Sequence, residues 1–249
     1  PPWTRSTRKC RWPEPVLNWP DRASDDLEEM DKPDCDPCRL DNTYRQFGAV
    51  NRAVSGWRRL YLRELRPLLS VAPTTILDIG CGGGDIAVML ARWALRDGLV
   101  LDVTGIDPDP RAIGFALRRP PVRGVQFRQA HSSALIKEGA VFDVVISNPP
   151  YIPAEAIPNE PEVALHDPPE ALYGGGADGM ELPTAAARSA ARLLRPGSYF
   201  VMEHAEVQAG WIAALLGRQG FWRGISTHLD LNGKERATSA VLAGPGRTE

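Results

Sequence analysis

The stretch TTILDIGCGGGDIAVMLARW, residues 74–93, leaves this chain few folds to choose from. An apolar strand, Ile76 to Ile79, runs directly into Gly80, Gly82, Gly83 and Gly84, and a helical pattern begins at once behind them. Strand, glycine turn and helix in immediate succession form the first unit of a parallel α/β layer. Turns without Cβ atoms let the backbone come close to a bound ligand, with the amides of the helix N-terminus pointing at it.

The alternation started there continues along the chain. Strands are predicted over 75–80, 101–106, 124–128, 142–147 and 198–203, with helices over about 84–96, 109–118, 179–194 and 206–218. The segment 131–138 has room for a helical turn, and FWRGISTHLDLNGKERATSAVLAG predicts two strands, 222–229 and 237–243, turned at Asn232-Gly233. The joined picture is a mostly parallel sheet with helices on both faces and a late antiparallel hairpin at one edge. Ahead of it, Phe47, Val50, Val54, Trp57, Leu60, Tyr61, Leu65 and Leu68 recur at helical spacing, so 44–70 reads as a helical lead-in to a domain over 71–249. Residues 1–43, rich in proline and carrying the acidic run DRASDDLEEMDKPDCD, show no period and read as an irregular arm.

A chain of 249 residues with a formal charge of -2 has enough length for a sizeable core and no overall pull toward a polyanion. Duplex nucleic acid is therefore disfavoured as the main partner. No window of about 18 apolar residues and no secretory pattern occurs, which gives no membrane partner and a cytoplasmic expectation. Of Cys10, Cys35, Cys38 and Cys81, only the pair in CDPC has metal-like or redox-like spacing. No second close pair or neighbouring histidine completes a zinc site, so ordinary thiols are the simplest reading, with a small metal site or a redox pair as alternatives.

Two further features stand at the same edge of the predicted sheet. The second strand ends LDVTGIDPDP, placing Asp107 where a carboxylate can accept both hydroxyl hydrogens of a ribose; capping the next helix is its other reading, a role open to Asp109 as well. The fourth strand ends VVISNPPYIP, and an interior strand cannot continue through Pro149 and Pro150 without losing ladder bonds. Two prolines supply no N–H, so the carbonyls around them face a ligand without a competing donor. The Asn148 side chain and the Pro149 carbonyl can then accept the two hydrogens of an –NH2 group, with Tyr151 stacking on the planar group that bears it. Such a pair holds a weakly nucleophilic amide nitrogen in line for attack.

LDIGCGGG followed by GIDPD resembles the nucleotide-binding half of the class I S-adenosylmethionine-dependent methyltransferases. The resemblance implies a Rossmann-like seven-stranded sheet and S-adenosyl-L-methionine as cofactor. It places cofactor contacts on Asp78, Gly80, Cys81, Gly82, Asp107 and Pro108, with Asn148 reaching the cofactor from strand four. The family often has an Asp after strand three beside the adenine amine; FRQAHSS offers His131 or Ser132 there instead.

From about 142 to 243, NPPY and the string PEV, HDP, ALYGG, DG, LRPG and EH resemble the glutamine N5-methyltransferases that modify the GGQ loop of peptide-chain release factors. In that family the asparagine and the following proline hold the glutamine amide. Those roles fall on Asn148 and Pro149, with Pro150 and Tyr151 completing the motif, Glu162, Asp167 and Gly174–Gly176 near the substrate mouth, and Glu203 and His204 as structural residues. Residues 44–118 look more like the small-molecule methyltransferases of the ubiquinone and menaquinone type, and the helical docking domain usual in release-factor enzymes is not visible. The acceptor is thus read as a release-factor glutamine, with a small molecule as the alternative, a nucleic-acid amine less favoured, and a non-catalytic cofactor-binding protein as the reading outside enzymology.

Overall fold

The computed structural model describes residues 40–41, 44–45, 56–70, 72–151, 174–176 and 178–244. Seven strands form one sheet: β1 (Thr74–Ile79), β2 (Leu101–Asp107), β3 (Val125–Gln129), β4 (Phe142–Ser147), β5 (Leu194–Glu203), β6 (Trp222–Leu229) and β7 (Glu235–Leu242). Their order is β3-β2-β1-β4-β5-β7-β6, parallel from β3 to β5 and antiparallel at β5-β7 and β7-β6. The expected α/β Rossmann-like sheet with its terminal hairpin is the one observed. Among the described residues no helix is long and apolar enough to cross a membrane.

Period-two alternation along the strands feeds two cores, one on each face. Ile76, Val103, Val144, Ile146 and Val201 face α2 (Asp85–Arg96) and the lead-in helix α1 (Trp57–Leu60), which bring Leu90, Ala94, Trp57, Leu60 and Tyr61. Their neighbours Leu77, Val145, Phe200 and Met202 face the other way. There they meet Leu135 of α4 (Ser132–Lys137), Ala187 and Ala190 of α5 (Glu181–Leu193), and Ile212 and Leu216 of α6 (Ala209–Gln219). Helix α3 (Pro110–Leu117) packs Ala112 and Phe115 against Leu40 and Tyr44.

Two local outcomes differ from the sequence reading. The described part of the lead-in is not one regular α-helix: α1 widens into a π turn, Tyr61–Leu65, and then tightens into a 3-10 turn ending before Leu69. Tertiary bonds set this path, because Trp57 Nε1 donates to Glu203 Oε2 at 2.7 Å, while Tyr61 Oη and Arg66 Nε both donate to Asp97 Oδ2 at 2.8 Å. The second difference is β5, which starts at Leu194 with no loop after α5. Phe142 pairs with Leu194 and Val144 with Tyr199, so the Arg195-Pro196-Gly197-Ser198 stretch bulges out of the ladder.

The glycine turn is locked by one aromatic ring. Gly84, the N-cap of α2, sits at φ 74°, and a Cβ there would lie 2.3 Å from Phe127 Cζ; one on Gly105 would lie 2.7 Å from Phe127 Cδ1. Helix, β2 and β3 close onto each other only because both positions lack a side chain. Gly84→Ala should cost about 2–5 kcal/mol, combining about 1–2 for the left-handed backbone with about 1–3 for overpacking. Urea unfolding measures this, and adding Phe127→Leu should recover part of the loss. An unchanged midpoint in the single variant would show that the turn relaxes freely.

Candidate active site

The three features singled out in the sequence meet at one edge because the end of β1 is held from both sides. Gly80 N–H and Cys81 N–H both donate to the Ile106 carbonyl at 2.9 Å, folding the glycine turn over the end of β2. On the other side Ser147 Oγ donates to the Ile79 carbonyl at 2.9 Å, and Ile79 is in register with Ser147. Asp107, Gly80 and Asn148 therefore stand at adjacent strand ends. The chain leaves β1 toward β2 on one side, and β4 lies on the other, which is the switch point where open α/β sheets take ligands.

Three carboxylates surround the turn. Asp78 is buried, and its Oδ2 has no hydrogen-bond partner among the described residues. Burial first, then Asp85 and Asp107 nearby, hold its carboxyl well above the ordinary carboxylate range. Asp107 accepts from Gly82 N–H through Oδ2 and from Asp109 N–H through Oδ1, both at 2.9 Å, and burial still raises it. Capping of α3 falls to Asp109, whose Oδ1 accepts from Arg111 N–H at 2.7 Å. Each Asp107 oxygen thus keeps a lone pair for a ligand hydroxyl.

The remaining predicted residues divide by what their side chains do. Cys81 is buried, and a Cβ on Gly105 would stand 3.0 Å from its Sγ, so Cys81 meets the crevice with its backbone. The Pro108 carbonyl accepts from Gln129 Nε2 at 3.2 Å. His131 is the N-cap of α4 without a side-chain cap bond, whereas Ser132 Oγ shares a hydrogen bond with Ser189 Oγ at 2.9 Å and is turned toward α5. Pro149 is buried, with Asn148, Pro150 and Tyr151 half-buried around it, and no described residue hydrogen-bonds the Asn148 side chain. Glu162 and Asp167, like Cys10, Cys35 and Cys38, lie outside the described residues.

Gly174 is described, and it packs so closely that a Cβ would fall 1.9 Å from the Gly179 carbonyl oxygen and 2.8 Å from that of Pro150. His204 is fully buried: Nδ1 bonds the Ala205 carbonyl at 2.9 Å and Nε2 the Thr238 hydroxyl at 2.8 Å, and burial lowers its pKa, so it is a neutral framework residue. Burial pushes Glu203 up to about 7 despite the Trp57 bond. Two residues the sequence reading passed over also belong here. Asp85 is buried in the first turn of α2 and adds its charge to Asp78; Gln208, fully buried, reaches the carbonyl of Tyr151. Neither sits in a recognisable motif.

The residues present fit S-adenosyl-L-methionine. At Gly80 and Gly82 a Cβ would meet nothing within 4 Å, so the backbone has open space above it at the crevice. An unpartnered buried carboxylate oxygen suits a cationic ligand, and the sulfonium and ammonium of that cofactor are cations; the Asp107 carboxylate suits its ribose.

The sign of the pH effect follows from Asp78. Its folded-state pKa lies above the unfolded value, so no penalty exists below the ordinary aspartate range and stability is lost as pH rises through the folded-state pKa. Asp78→Asn should therefore raise the melting temperature of the ligand-free protein at pH 7–8 and leave it nearly unchanged at about pH 3, while weakening cofactor binding. Calorimetric melting and titration test this. A variant less stable than wild type at pH 8 would show that the carboxylate is structurally satisfied.

A family described as a methyltransferase domain matches residues 71–236. The release factor glutamine methyltransferase of Mycobacterium tuberculosis (strain CDC 1551 / Oshkosh) is 34% identical over 77% of this chain. The chain spans 61% of that relative's length. A 4-amino-L-phenylalanine/4-methylamino-L-phenylalanine methyltransferase of Streptomyces pristinaespiralis is 32% identical over 63% of this chain and 52% of its own. A methyltransferase from Pyrococcus furiosus, 19% identical, shares the fold with a TM-score of 0.50 over 76% of this chain and 82% of that one. With the matched region taking in the glycine turn, the three carboxylates and the Asn-Pro-Pro-Tyr edge, the chain belongs to the methyltransferase-domain family, in its S-adenosylmethionine-dependent, Rossmann-like branch.

Proposed function

We propose that the chain transfers a methyl group from S-adenosyl-L-methionine to the side-chain amide nitrogen (N5) of a glutamine in a peptide-chain release factor or a similar protein. The observation that carries this reading is the Asn148 side chain, which no described residue hydrogen-bonds, at the end of β4 beside the glycine turn and ahead of two prolines without N–H groups. The relatives named as release factor glutamine methyltransferases support it. A cytoplasmic location comes with it, since translation factors work there.

An amide nitrogen is a poor nucleophile because its lone pair is delocalised into the carbonyl. Asn148 Oδ1 and the Pro149 carbonyl accept its two hydrogens, hold it in the near-attack arrangement and stabilise the positive charge that grows on it. Tyr151 borders the slot for the planar amide. Asp107 would hold the ribose, the Gly80 and Gly82 backbones would leave room for the cofactor, and Asp78 would answer its positive charge. The bound cofactor supplies a methyl group activated by a sulfonium. The methyl group would pass from that sulfonium to the nitrogen, and the surplus proton on nitrogen would leave to solvent afterwards, so no strong base among these residues is needed beforehand.

A second reading has its own support in the aminophenylalanine methyltransferase relative: the same two acceptors fit the –NH2 of a small aromatic amine. Labelled cofactor offered with a release factor, its Gln-to-Ala loop variant, small aromatic amines and a nucleic-acid pool separates the cases. Mass spectrometry should find one added methyl on the loop glutamine. Asn148→Ala should lower kcat by about 100-fold or more with cofactor affinity largely intact. Methylation confined to a small molecule would reject the protein-glutamine reading, and a wild-type rate in Asn148→Ala would show that the motif is only a turn.

A further inference from the structure

The prolines that free the site of competing donors also leave it hard to fix in place. Pro149 and Pro150 have no N–H, so neither can tie itself to the sheet through its own amide. At its near end the motif is fastened by Ser147 Oγ on the Ile79 carbonyl. At its far end the carbonyl of Tyr151 accepts from Gln208 Nε2 at 2.5 Å.

Gln208 closes the 3-10 turn Glu206–Gln208 after β5 and is fully buried. Besides Tyr151 it donates to the Asp178 carbonyl at 3.3 Å, while its Oε1 accepts from Ala205 N–H at 3.3 Å. All three partners are backbone groups. Two carbonyls must face the –NH2 and one N–H must face the oxygen, so the network itself fixes the orientation of the amide. The partners lie on three separate segments: the end of the Asn-Pro-Pro-Tyr motif, the turn leading into α5, and the exit of β5. The same turn closes on the motif at Gly174, where only a missing Cβ leaves room for the Pro150 carbonyl. A buried amide with every group engaged is rigid and costly to disturb.

We infer that Gln208 is a positioning residue: by clamping the Tyr151 carbonyl it holds the four-residue motif between two fixed points and so aims the Pro149 carbonyl at the substrate nitrogen. The inference rests on the reading of Asn148 and Pro149 as the acceptors of that nitrogen. Gln208 touches neither substrate nor cofactor in this arrangement. Its loss should misplace the acceptors without disturbing the glycine turn, and a displacement of about 1 Å is worth about 100-fold in rate.

The test uses the full chain with Gln208→Met and Gln208→Glu. Gln208→Met should lower kcat by about 30- to 100-fold toward the release factor, with cofactor Kd within about twofold of wild type. Amide exchange should rise at least about tenfold in the peptide containing Tyr151 and stay unchanged in β1 and β4. Gln208→Glu keeps the acceptor for Ala205 N–H but donates to Tyr151 only when protonated, so its kcat should climb as pH falls from 8 to 6, a limb the wild type lacks.

Wild-type kcat in both variants, or unchanged exchange around Tyr151, would overturn the clamp. Loss of cofactor binding in step with kcat would also overturn it, in favour of general support of the fold. The reading underneath fails differently. Wild-type protein inert toward every amide and amine, with exchange still altered in the variants, would uphold the clamp and reject the acceptor chemistry.

Discussion

Everything at the site depends on how the last residue of β1 is held. Its carbonyl takes the Ser147 hydroxyl from β4, and the two amides that follow it both go to Ile106 of β2. These three bonds make the central strand and its two neighbours end together, so that Asp107, Gly80 and Asn148 share one edge. Without the doubled bond to Ile106 the glycine turn would have no reason to lie over β2, and the amide of Gly82 would not reach Asp107. The Phe127 ring pressed against Gly84 and Gly105 then fixes the helix on that turn.

The electrostatics of this edge oppose stability of the protein by itself. Asp78, Asp85 and Asp107 crowd one turn, and burial raises Asp78 and Asp107 further. A charged group buried without a partner is a cost that a cationic ligand removes, so cofactor affinity and intrinsic stability draw on the same residues in opposite directions. Tyr61 shows the contrasting use of a buried polar group. Its hydroxyl, pushed up to about 12 by burial and Asp97, is satisfied by that carboxylate and serves only to seat the lead-in on α2.

Strand and helix positions were legible in the sequence because one sheet buried on both faces writes a strong pattern. Ile76 and Leu77, or Val145 and Ile146, alternate between two cores, and each helix begins where a strand's apolar run ends. The glycine turn and Asn-Pro-Pro-Tyr were legible for a different reason: their chemistry is in the backbone, where glycine and proline cannot be exchanged for other residues. What was not legible depends on partners distant in the chain. The β5 bulge is set by pairing with Phe142, the π turn by bonds to Asp97 and Glu203, and the Ser132 hydroxyl by Ser189. Gln208 left no signal because a lone glutamine at the start of a helix is ordinary, and only the meeting of three backbone segments gives it a task.

The place of β7 has a consequence for biogenesis. Of the described strands it is synthesised last, yet it inserts between β5 and β6, pairing Tyr199 through Glu203 on one side and Trp222 through Leu229 on the other. Until the ribosome has released residues 235–242, β5 offers an open apolar edge and β6 has no sheet to join.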